Sequence, residues 1–473
     1  MNEAAERLAP SFGLGVLAPA TLLLLVPLLI AAYRIRSLPG RFLIAALWIR
    51  YICGAYHVYM FKPLAAGLSG NALVSVAIVA VGLLVIRARH LAVAVLMPIY
   101  LLIALVLLSG GANGDMAGAI GVAVKYAYVI VVLIAAFEAL RQDSKEEVMS
   151  LLIWAFAPLL LFQWLSLGLN LPKGSETGDG LVWIGGYNHE AAFSVALSTG
   201  FVIACLAYKM HPLLRFGFLG ITLIGIFLAG YRTAIFAMGP LALATFWVAL
   251  TQYVKPEQRR AVAAVALVIV LTGAAAVVVA YHSRFADVAT FLSDPGSLIK
   301  PPREFTQLDR QIMSGRPLIW SEYLYAYADG TPFQLLFGFG PESWAKSFDV
   351  YPHNTLISTL YELGIIGMIA MLLLWITMAV QALKARRHER LTLAAGHLSF
   401  FILNLATMPF WQVEGLALYG LLCGYTLFSA RVAALSRRGA GSGSIRPASR
   451  NRYARPGIRP PQPGILHNRY SRQ

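Results

Sequence analysis

Three residues of this sequence have side chains suited to proton and phosphate chemistry. Arg232 lies in LAGYRTAIFA, Arg316 in SGRPLIW and His353 in YPHNTLISTLYELGIIG. We predict that His353 lies in the first turn of a helix, where the positive end of the helix dipole disfavours a charged imidazole and suits a general base. The two guanidinium groups would supply paired hydrogen-bond donors for phosphate oxygens. Together the three predict a site for a phosphate-bearing substrate.

Each of the three also has an ordinary structural interpretation. Arg232 could anchor the end of a span by reaching lipid headgroups, and Arg316 could be a surface arginine. His353 could simply cap a helix. Their combination favours chemistry over three separate structural roles.

Four further polar residues are candidate substrate contacts. Lys125 lies roughly two turns into an apolar segment, near its predicted outer end, where it could neutralise a bound phosphate or extend to the headgroups. Asn188, His189 and Glu190 lie in GGYNHEAAF, at the start of another apolar segment. Helix capping accounts for Asn188, whereas His189 and Glu190 stay open as contacts to an acceptor sugar.

The composition indicates that membrane-spanning helices hold these residues. Hydrophobic residues make up 58% of the 473 residues, charged residues make up 13%, and the mean hydropathy is +0.68. Soluble domains carry about a quarter charged residues, and a membrane span needs about 20 apolar residues. The predicted fold is an all-α polytopic helix bundle with thirteen spans, near residues 12–33, 42–61, 72–86, 91–108, 119–140, 148–168, 191–208, 213–230, 233–253, 261–281, 354–382, 391–410 and 413–430.

The formal net charge of +16 does not indicate a nucleic-acid partner. Ten arginines lie at or after Arg431, where there is no Asp, Glu or Lys, and most other basic residues lie in alternate breaks between the spans. By the positive-inside rule these breaks and the carboxyl terminus face the cytoplasm. The charge therefore records orientation in a membrane, with the three candidate residues on the outer side.

The segment from 282 to 352 is the main departure from a bundle of apolar helices. It is far longer than an ordinary connection, and its many aromatic residues, such as Trp320 and Tyr323, argue against disorder. We predict a folded cap on the outer face, with an amphipathic helix from Pro317 to Ala328. The predicted domains are transmembrane helices over 1–281, the cap over 282–352, C-terminal transmembrane helices over 353–436 and a disordered basic cytoplasmic tail over 437–473.

The sequence contains no motif for a cofactor or a metal ion. Walker, Rossmann, HExxH and GxSxG patterns are absent, and no pair of acidic residues on the predicted outer side is placed to hold a nucleotide diphosphate through a metal. Cys53, Cys205 and Cys423 lie in apolar runs without the spacing of zinc ligands. We predict an activity that uses neither a cofactor nor a metal ion.

In this order of features the sequence resembles the bacterial O-antigen ligase and O-antigen polymerase superfamily of multispanning glycosyltransferases. The resemblance rests on GYRTA at a span end, an outer loop with SGRPLIW and LFGFGPESW, and HNTLISTLYELGIIG entering the next span, over about 185–378. It implies a metal-independent enzyme of lipopolysaccharide biosynthesis in the bacterial inner membrane. The enzyme would transfer a glycan from undecaprenyl diphosphate to lipid A–core at the periplasmic face. His353 would be the general base, and Arg232 and Arg316 would bind the diphosphate.

Three alternatives stay open. A polymerase acting on lipid-linked repeats would use the same histidine and arginines. A transporter or flippase for a lipid-linked or anionic solute would line its path with Arg50, Lys125 and Arg232. A non-catalytic scaffold of a polysaccharide complex would use the cap as a docking surface.

Overall fold

The computed structural model of the protein describes residues 11–65, 67–175, 180–280, 293, 296 and 299–442. Most of the regular structure in these residues is helical. The helices before the cap are α1 (Leu14–Arg34), α2 (Leu38–Ala55), α3 (His57–Met60), α4 (Gly70–Val85), α5 (Met97–Ala112), α6 (Met116–Gln142), α7 (Lys145–Leu152), α8 (Ala157–Gly168), α9 (Glu190–Leu206), α10 (Pro212–Leu228), α11 (Arg232–Tyr253) and α12 (Arg259–Ala280). The later helices are α13 (Arg316–Ala328), α14 (Pro332–Phe337), α15 (Trp344–Ser347), α16 (Thr355–Lys384), α17 (Arg387–Ala406) and α18 (Val413–Ser442).

A helix coincides with each of the thirteen predicted spans, and the predicted all-α fold is confirmed. Among the described residues, eight helices are long and apolar enough to cross a membrane, and α4, α9 and α10 are shorter apolar helices. These helices are apolar around most of their circumference, which is the pattern of helices that face lipid or one another rather than water.

Short elements connect the helices. The two antiparallel hairpins pair β1 (Pro63–Ala65) with β2 (Leu68–Ser69), and β3 (Lys173–Gly174) with β4 (Leu181–Val182). Short segments of 3-10 helix lie at Ala88–His90, Ala94–Leu96, Ile153–Phe156, Pro302–Glu304 and Asp309–Gly315. The last is interrupted by non-helical backbone at Ile312, Met313 and Ser314.

The packing of the bundle centres on α6 in the amino-terminal half. This helix packs against α2, α4 and α5, while α16 packs against α5 and α17, and α17 packs against α11. The last helix also approaches α6 closely, since a Cβ atom at Gly420 would lie 2.8 Å from Cγ1 of Val132. Small residues permit such approach between apolar helices, where van der Waals packing replaces the hydrophobic effect.

Three pairs of buried ionisable side chains join distant parts of the chain. Burying a charge without a partner is costly, so each pair fixes the relative position of two segments. The pairs are Arg50 with Glu414, His90 with Glu138, and Lys145 with Glu389.

The described part of the predicted cap contains three helices. The first, α13, confirms the helix predicted from Pro317 to Ala328 and begins one residue earlier. The next, α14, has a capping box between Thr331 and Gln334 and ends at Phe337, with Gly338 as its C-cap. The residues from 281 to 298, apart from 293 and 296, lie outside the described residues.

The chain divides into two compact units, Met1–Ala433 and Ala434–Gln473. The first contains every candidate site residue. In the second, α18 continues to Ser442, and the rest of the predicted disordered tail lies outside the described residues. The predicted domain boundaries stay predictions.

Candidate functional site

The candidate residues lie at the starts of long helices. Arg232 is the first residue of α11 and Arg316 is the first residue of α13. Arg316 directly follows Gly315, with φ 77°, and Arg232 lies two residues after Gly230, with φ 69°. Each glycine gives the chain a sharp turn into the helix. The amino end of a helix carries unsatisfied N–H groups and a partial positive charge, which favour a bound anion.

His353 lies just before a helix and not in its first turn, so that part of the sequence prediction was wrong. Asn354 is the N-cap of α16, and its Oδ1 accepts from the N–H groups of Leu356 (2.9 Å) and Ile357 (3.3 Å). Its Nδ2 donates to the carbonyl of Leu405 at 3.0 Å. Asn354 therefore performs the capping role that had been the structural alternative for His353.

The backbone of His353 has an uncommon conformation. Its φ is 51°, in the left-handed region. A residue with a Cβ atom pays on the order of 1–3 kcal/mol for such a conformation, and strained residues of this kind cluster at functional sites. The surrounding contacts must therefore hold this residue in place.

The arginine-bearing face of α13 packs against the segment that leads to His353. Trp320 Nε1 donates to the carbonyl of Pro352 at 2.9 Å, and Tyr323 Oη donates to the carbonyl of Val350 at 3.0 Å. Arg316 lies four and seven residues before these two aromatic residues, a spacing that puts all three on one helix face. The structure thus brings the face of Arg316 to the residues beside His353. Arg316 is half-buried, and its guanidinium makes no hydrogen bond or ion pair within the described part of the chain.

The turn that carries Arg232 packs against the loop before α9. The N–H of Trp183 donates to the carbonyl of Leu228 at 2.9 Å. A Cβ atom at Gly230 would lie 2.5 Å from Cγ1 of Val182, so the contact requires glycine. Arg232 itself is half-buried.

The same loop leads to His189, which is the N-cap of α9. Its Nδ1 accepts from the N–H of Ala191 at 3.1 Å. The predicted capping role of Asn188 was therefore wrong by one residue; Asn188 is exposed, and its carbonyl accepts from Nζ of Lys173 at 3.0 Å. Glu190, the first residue of α9, is buried.

A contact between His189 and Tyr351 joins the two sides of the site. Nε2 of His189 lies 3.2 Å from Oη of Tyr351, and the ring of Tyr351 lies 4.1 Å, centroid to centroid, from the ring of His353. A continuous series of contacts therefore runs from the Arg232 turn through the loop before α9 to His189, Tyr351 and His353, and on to the Arg316 face of α13. The sequence alone gave no signal for this contact, because its partners are 162 residues apart.

Lys125 is engaged by a different part of the cap. Its Nζ donates to Glu342 Oε1 at 2.8 Å and lies 4.4 Å from the centre of the Trp411 ring. The N–H of Glu342 donates in turn to the carboxylate of Glu362 at 3.2 Å. The ion pair between Lys125 and Glu342 therefore holds the turn after LFGFGP against α6. Glu342 partly balances the charge of Lys125.

The span that follows His353 is interrupted at Gly364, which the sequence analysis missed. Gly364 has φ 69° and ψ −172° inside α16. The interruption frees carbonyls that accept from the cap: Phe339 N–H donates to Tyr361 at 3.0 Å and Gly340 N–H donates to Glu362 at 3.1 Å. The glycines in LFGFGP and ELGIIG were the available signal, since φ is positive at Gly338, Gly340 and Gly364.

The ionisable groups at the edge of the cap are also paired. Lys346 Nζ lies 2.6 Å from Oδ2 of Asp115, the N-cap of α6. This ammonium and the N–H of Gly118 lower the pKa of Asp115. Within the described ranges, no three His, Cys, Asp or Glu side chains are grouped so that they could hold a metal ion.

Residues 217–372 match the protein family described as O-Antigen ligase. This part of the chain contains Arg232, Arg316 and His353, together with α13 and the interrupted span. The match confirms the resemblance over this part of the chain and supports a function of the O-antigen ligase or polymerase type. Members of that family are membrane glycosyltransferases with lipid-linked glycan substrates. No curated protein matches the chain.

Proposed function

We propose, for this chain, whose residues 217–372 match the O-antigen ligase family, the transfer of a glycan from undecaprenyl diphosphate to a sugar hydroxyl of lipid A–core. The reaction takes place at the periplasmic face of the bacterial inner membrane, with the carboxyl terminus in the cytoplasm. His353 is the general base, and Arg232 and Arg316 bind the diphosphate.

One observation carries this proposal above the others. The hydrogen bond from Trp320 to the carbonyl of Pro352 sets the Arg316 face of α13 beside the residue that precedes His353. The segments that carry Arg316 and His353, the proposed phosphate ligand and the proposed base, are therefore in contact although the two residues are 37 apart in sequence. The amino ends of α11 and α13 add partial positive charge, which suits a diphosphate.

The proposed transfer needs no reactant beyond the donor and the acceptor. The acceptor oxygen attacks the anomeric carbon as the bond from that carbon to the diphosphate oxygen breaks. His353 takes the hydroxyl proton, and the electron pair of the broken bond remains on the diphosphate. A positioned base contributes about 10²–10⁴-fold to such a reaction, and fixed guanidinium groups stabilise the charge that develops on the leaving group. The donor is already activated, so the reaction requires neither a nucleotide nor a cofactor, and the arginines supply the positive charge that a metal ion would otherwise provide.

The remaining candidates belong at the edge of this site. We propose that His189 and Glu190, at the start of α9, and the exposed Asn188 lie along the path of the acceptor. Lys125 would act on the donor only through the turn at Glu342, to which it is bound.

The transporter alternative has less support. It requires Arg50 along a solute path, whereas Arg50 is buried and its Nη2 lies 3.1 Å from Oε1 of Glu414. A guanidinium in such a pair has a sufficient structural role. A polymerase that joins lipid-linked repeats stays an outcome of the experiment below.

The testing experiment is a reconstituted transfer assay. Purified protein receives a lipid-linked donor and either lipid A–core or a second lipid-linked repeat, with chelator and without nucleotide. We expect a lipid A–core product from the wild type and a loss of about 10²–10⁴-fold in His353→Ala, the range for one positioned base. Transfer to the second repeat alone would identify a polymerase.

The matched control is His211→Ala, which removes an exposed histidine at the start of α10 that makes no side-chain capping bond. It should transfer at the wild-type rate. Full activity in a correctly inserted His353→Ala protein would overturn the proposed role of the histidine, and a requirement for metal would overturn the proposed role of the arginines as sole counter-charge.

A further inference from the structure

We propose that His189 and Tyr351 form a positioning pair that fixes the imidazole of His353 for catalysis. The proposal rests on the function proposed above, because it concerns how the base of that reaction is held. Neither residue of the pair needs to touch the reacting atoms. His189 holds the hydroxyl of Tyr351, and the ring of Tyr351 contacts the ring of His353.

The N-cap of α9 determines the protonation of His189. Its Nδ1 accepts from the N–H of Ala191 at 3.1 Å, so Nδ1 must present a lone pair. The ring proton of the neutral imidazole is then on Nε2, and this N–H donates to Oη of Tyr351 at 3.2 Å. The N-cap hydrogen bond of α9 therefore fixes the imidazole of His189 so that its Nε2–H donates to Tyr351.

Tyr351 is held from a second direction as well. Its ring meets the ring of Trp344 edge to face, with centroids 5.9 Å apart and planes at 72°. It also contacts the ring of His353, with centroids 4.1 Å apart and planes at 40°. A tyrosine fixed at its hydroxyl by α9 and at its ring by the cap can therefore restrict the imidazole of His353.

The conformation of His353 explains why such restriction is needed. Its backbone is in the left-handed region, with φ 51°, and such a residue returns to an ordinary conformation unless its surroundings hold it. The bond from Trp320 holds the carbonyl of Pro352 on one side, and the Asn354 cap holds the start of α16 on the other. These contacts fix the main chain, whereas Tyr351 is placed to fix the side chain.

The test uses two substitutions that each remove the hydrogen bond between His189 and Tyr351. Tyr351→Phe keeps the ring and its contacts but loses the hydroxyl. His189→Asn keeps an oxygen that can cap α9, since asparagine is a strong N-cap residue, but loses the Nε2 donor. Rates are measured in the reconstituted transfer assay with purified undecaprenyl-diphosphate-linked glycan as donor and lipid A–core as acceptor.

We expect each variant to lower kcat by about 3- to 10-fold, the range for one net hydrogen bond, with an unchanged KM for the donor. The double variant should be no slower than either single variant, because both remove the same interaction. His189→Ala also removes the N-cap hydrogen bond of α9 and should lower the midpoint of thermal unfolding. His189→Asn should have the wild-type midpoint but the same lowered kcat.

Tyr100→Phe is the matched control, since it removes a phenol hydroxyl that donates to the carbonyl of Leu91 at 2.6 Å, far from the site in sequence. It should leave kcat unchanged. A wild-type rate in Tyr351→Phe, a loss confined to KM, or losses that multiply in the double variant would overturn the positioning role. A wild type without transfer, or a fully active His353→Ala, would instead overturn the proposed function, so the two failures are distinguishable.

Discussion

Arg215 stands beside the last carbonyls of a helix, whereas Arg316 stands at the first residue of one. Nε of Arg215 donates to the carbonyl of Ala204 at 2.9 Å and Nη2 donates to that of Cys205 at 2.6 Å, at the carboxyl end of α9. Its side chain is fully buried. Arg316 is half-buried at the amino end of α13, and its guanidinium makes no hydrogen bond or ion pair within the described residues.

The helix dipole has opposite effects on a cation at these two positions. A cation near the carboxyl end of a helix is stabilising, and one near the amino end is destabilising, by about 0.3–1 kcal/mol at exposed sites. Arg215 therefore donates hydrogen bonds to carbonyls at the end of α9, and these bonds account for its burial. Arg316, and Arg232 at the start of α11, lie where the fold alone would favour an acidic residue. Their position makes sense when an anion binds there.

The largest effect that tests this comparison is on turnover. Arg316→Gln and Arg232→Gln should each lower the transfer rate by about 10²–10³-fold, as removal of one preorganised charge-stabilising donor does. Arg316→Gln should also leave thermal stability unchanged or raise it slightly, because it removes a cation from the positive end of α13. The measurements are the reconstituted transfer rate and the thermal unfolding midpoint of the same preparation.

Arg310→Gln is a suitable control for Arg316→Gln, because it removes an arginine of the same cap segment that does not begin a long helix. It should transfer at the wild-type rate. A loss of stability without a loss of turnover in Arg316→Gln would make Arg316 a structural residue and remove the contrast with Arg215.

The second effect is on stability. Arg215→Met keeps the length of the side chain but removes the guanidinium donor of the Cys205 carbonyl, at a cost of about 1–3 kcal/mol for a buried group left unsatisfied. The carbonyl of Ala204 keeps the N–H of Ala207, at 3.3 Å. We expect a lower midpoint of thermal unfolding and an unchanged transfer rate per folded molecule. Stability equal to that of the wild type would contradict the structural role given to Arg215.

The sequence predicted the parts of this molecule that depend on local pattern. Hydropathy located a helix at every predicted span, and Gly315 with Pro317 located the start of the helix in the cap. Residue type and order along the chain also singled out Arg232, Arg316 and His353, which lie in the part of the chain that matches the O-antigen ligase family.

Features that depend on contacts between distant residues were not predictable in this way. Both asparagine and histidine can cap a helix, so choosing His189 over Asn188 required the position of the loop against its neighbours. The interruption at Gly364 lies in a continuous apolar segment, and its freed carbonyls are satisfied by residues of the cap. The pairing of Lys125 with Glu342 spans 217 residues. A single sequence carries no local signal for such partners.

The smallest effect concerns Asp115, which begins α6 with the acidic side chain that the dipole favours. Its Oδ1 accepts from the N–H of Gly118 at 3.0 Å, and Lys346 together with this N–H lowers its pKa in the folded protein. A lowered folded-state pKa adds stability that is present above the unfolded pKa and is lost as the pH falls through the folded pKa.

Asp115→Asn keeps an N-cap residue and should therefore lower the free energy of unfolding at neutral pH by only about a few tenths of a kcal/mol, given solvent screening. The deficit should shrink when thermal unfolding is measured below the folded pKa, where the wild-type carboxyl is neutral too. An equal deficit at both pH values would mean that geometry, and not the charge at the helix start, sets the contribution of Asp115, which would weaken the electrostatic reading of Arg316.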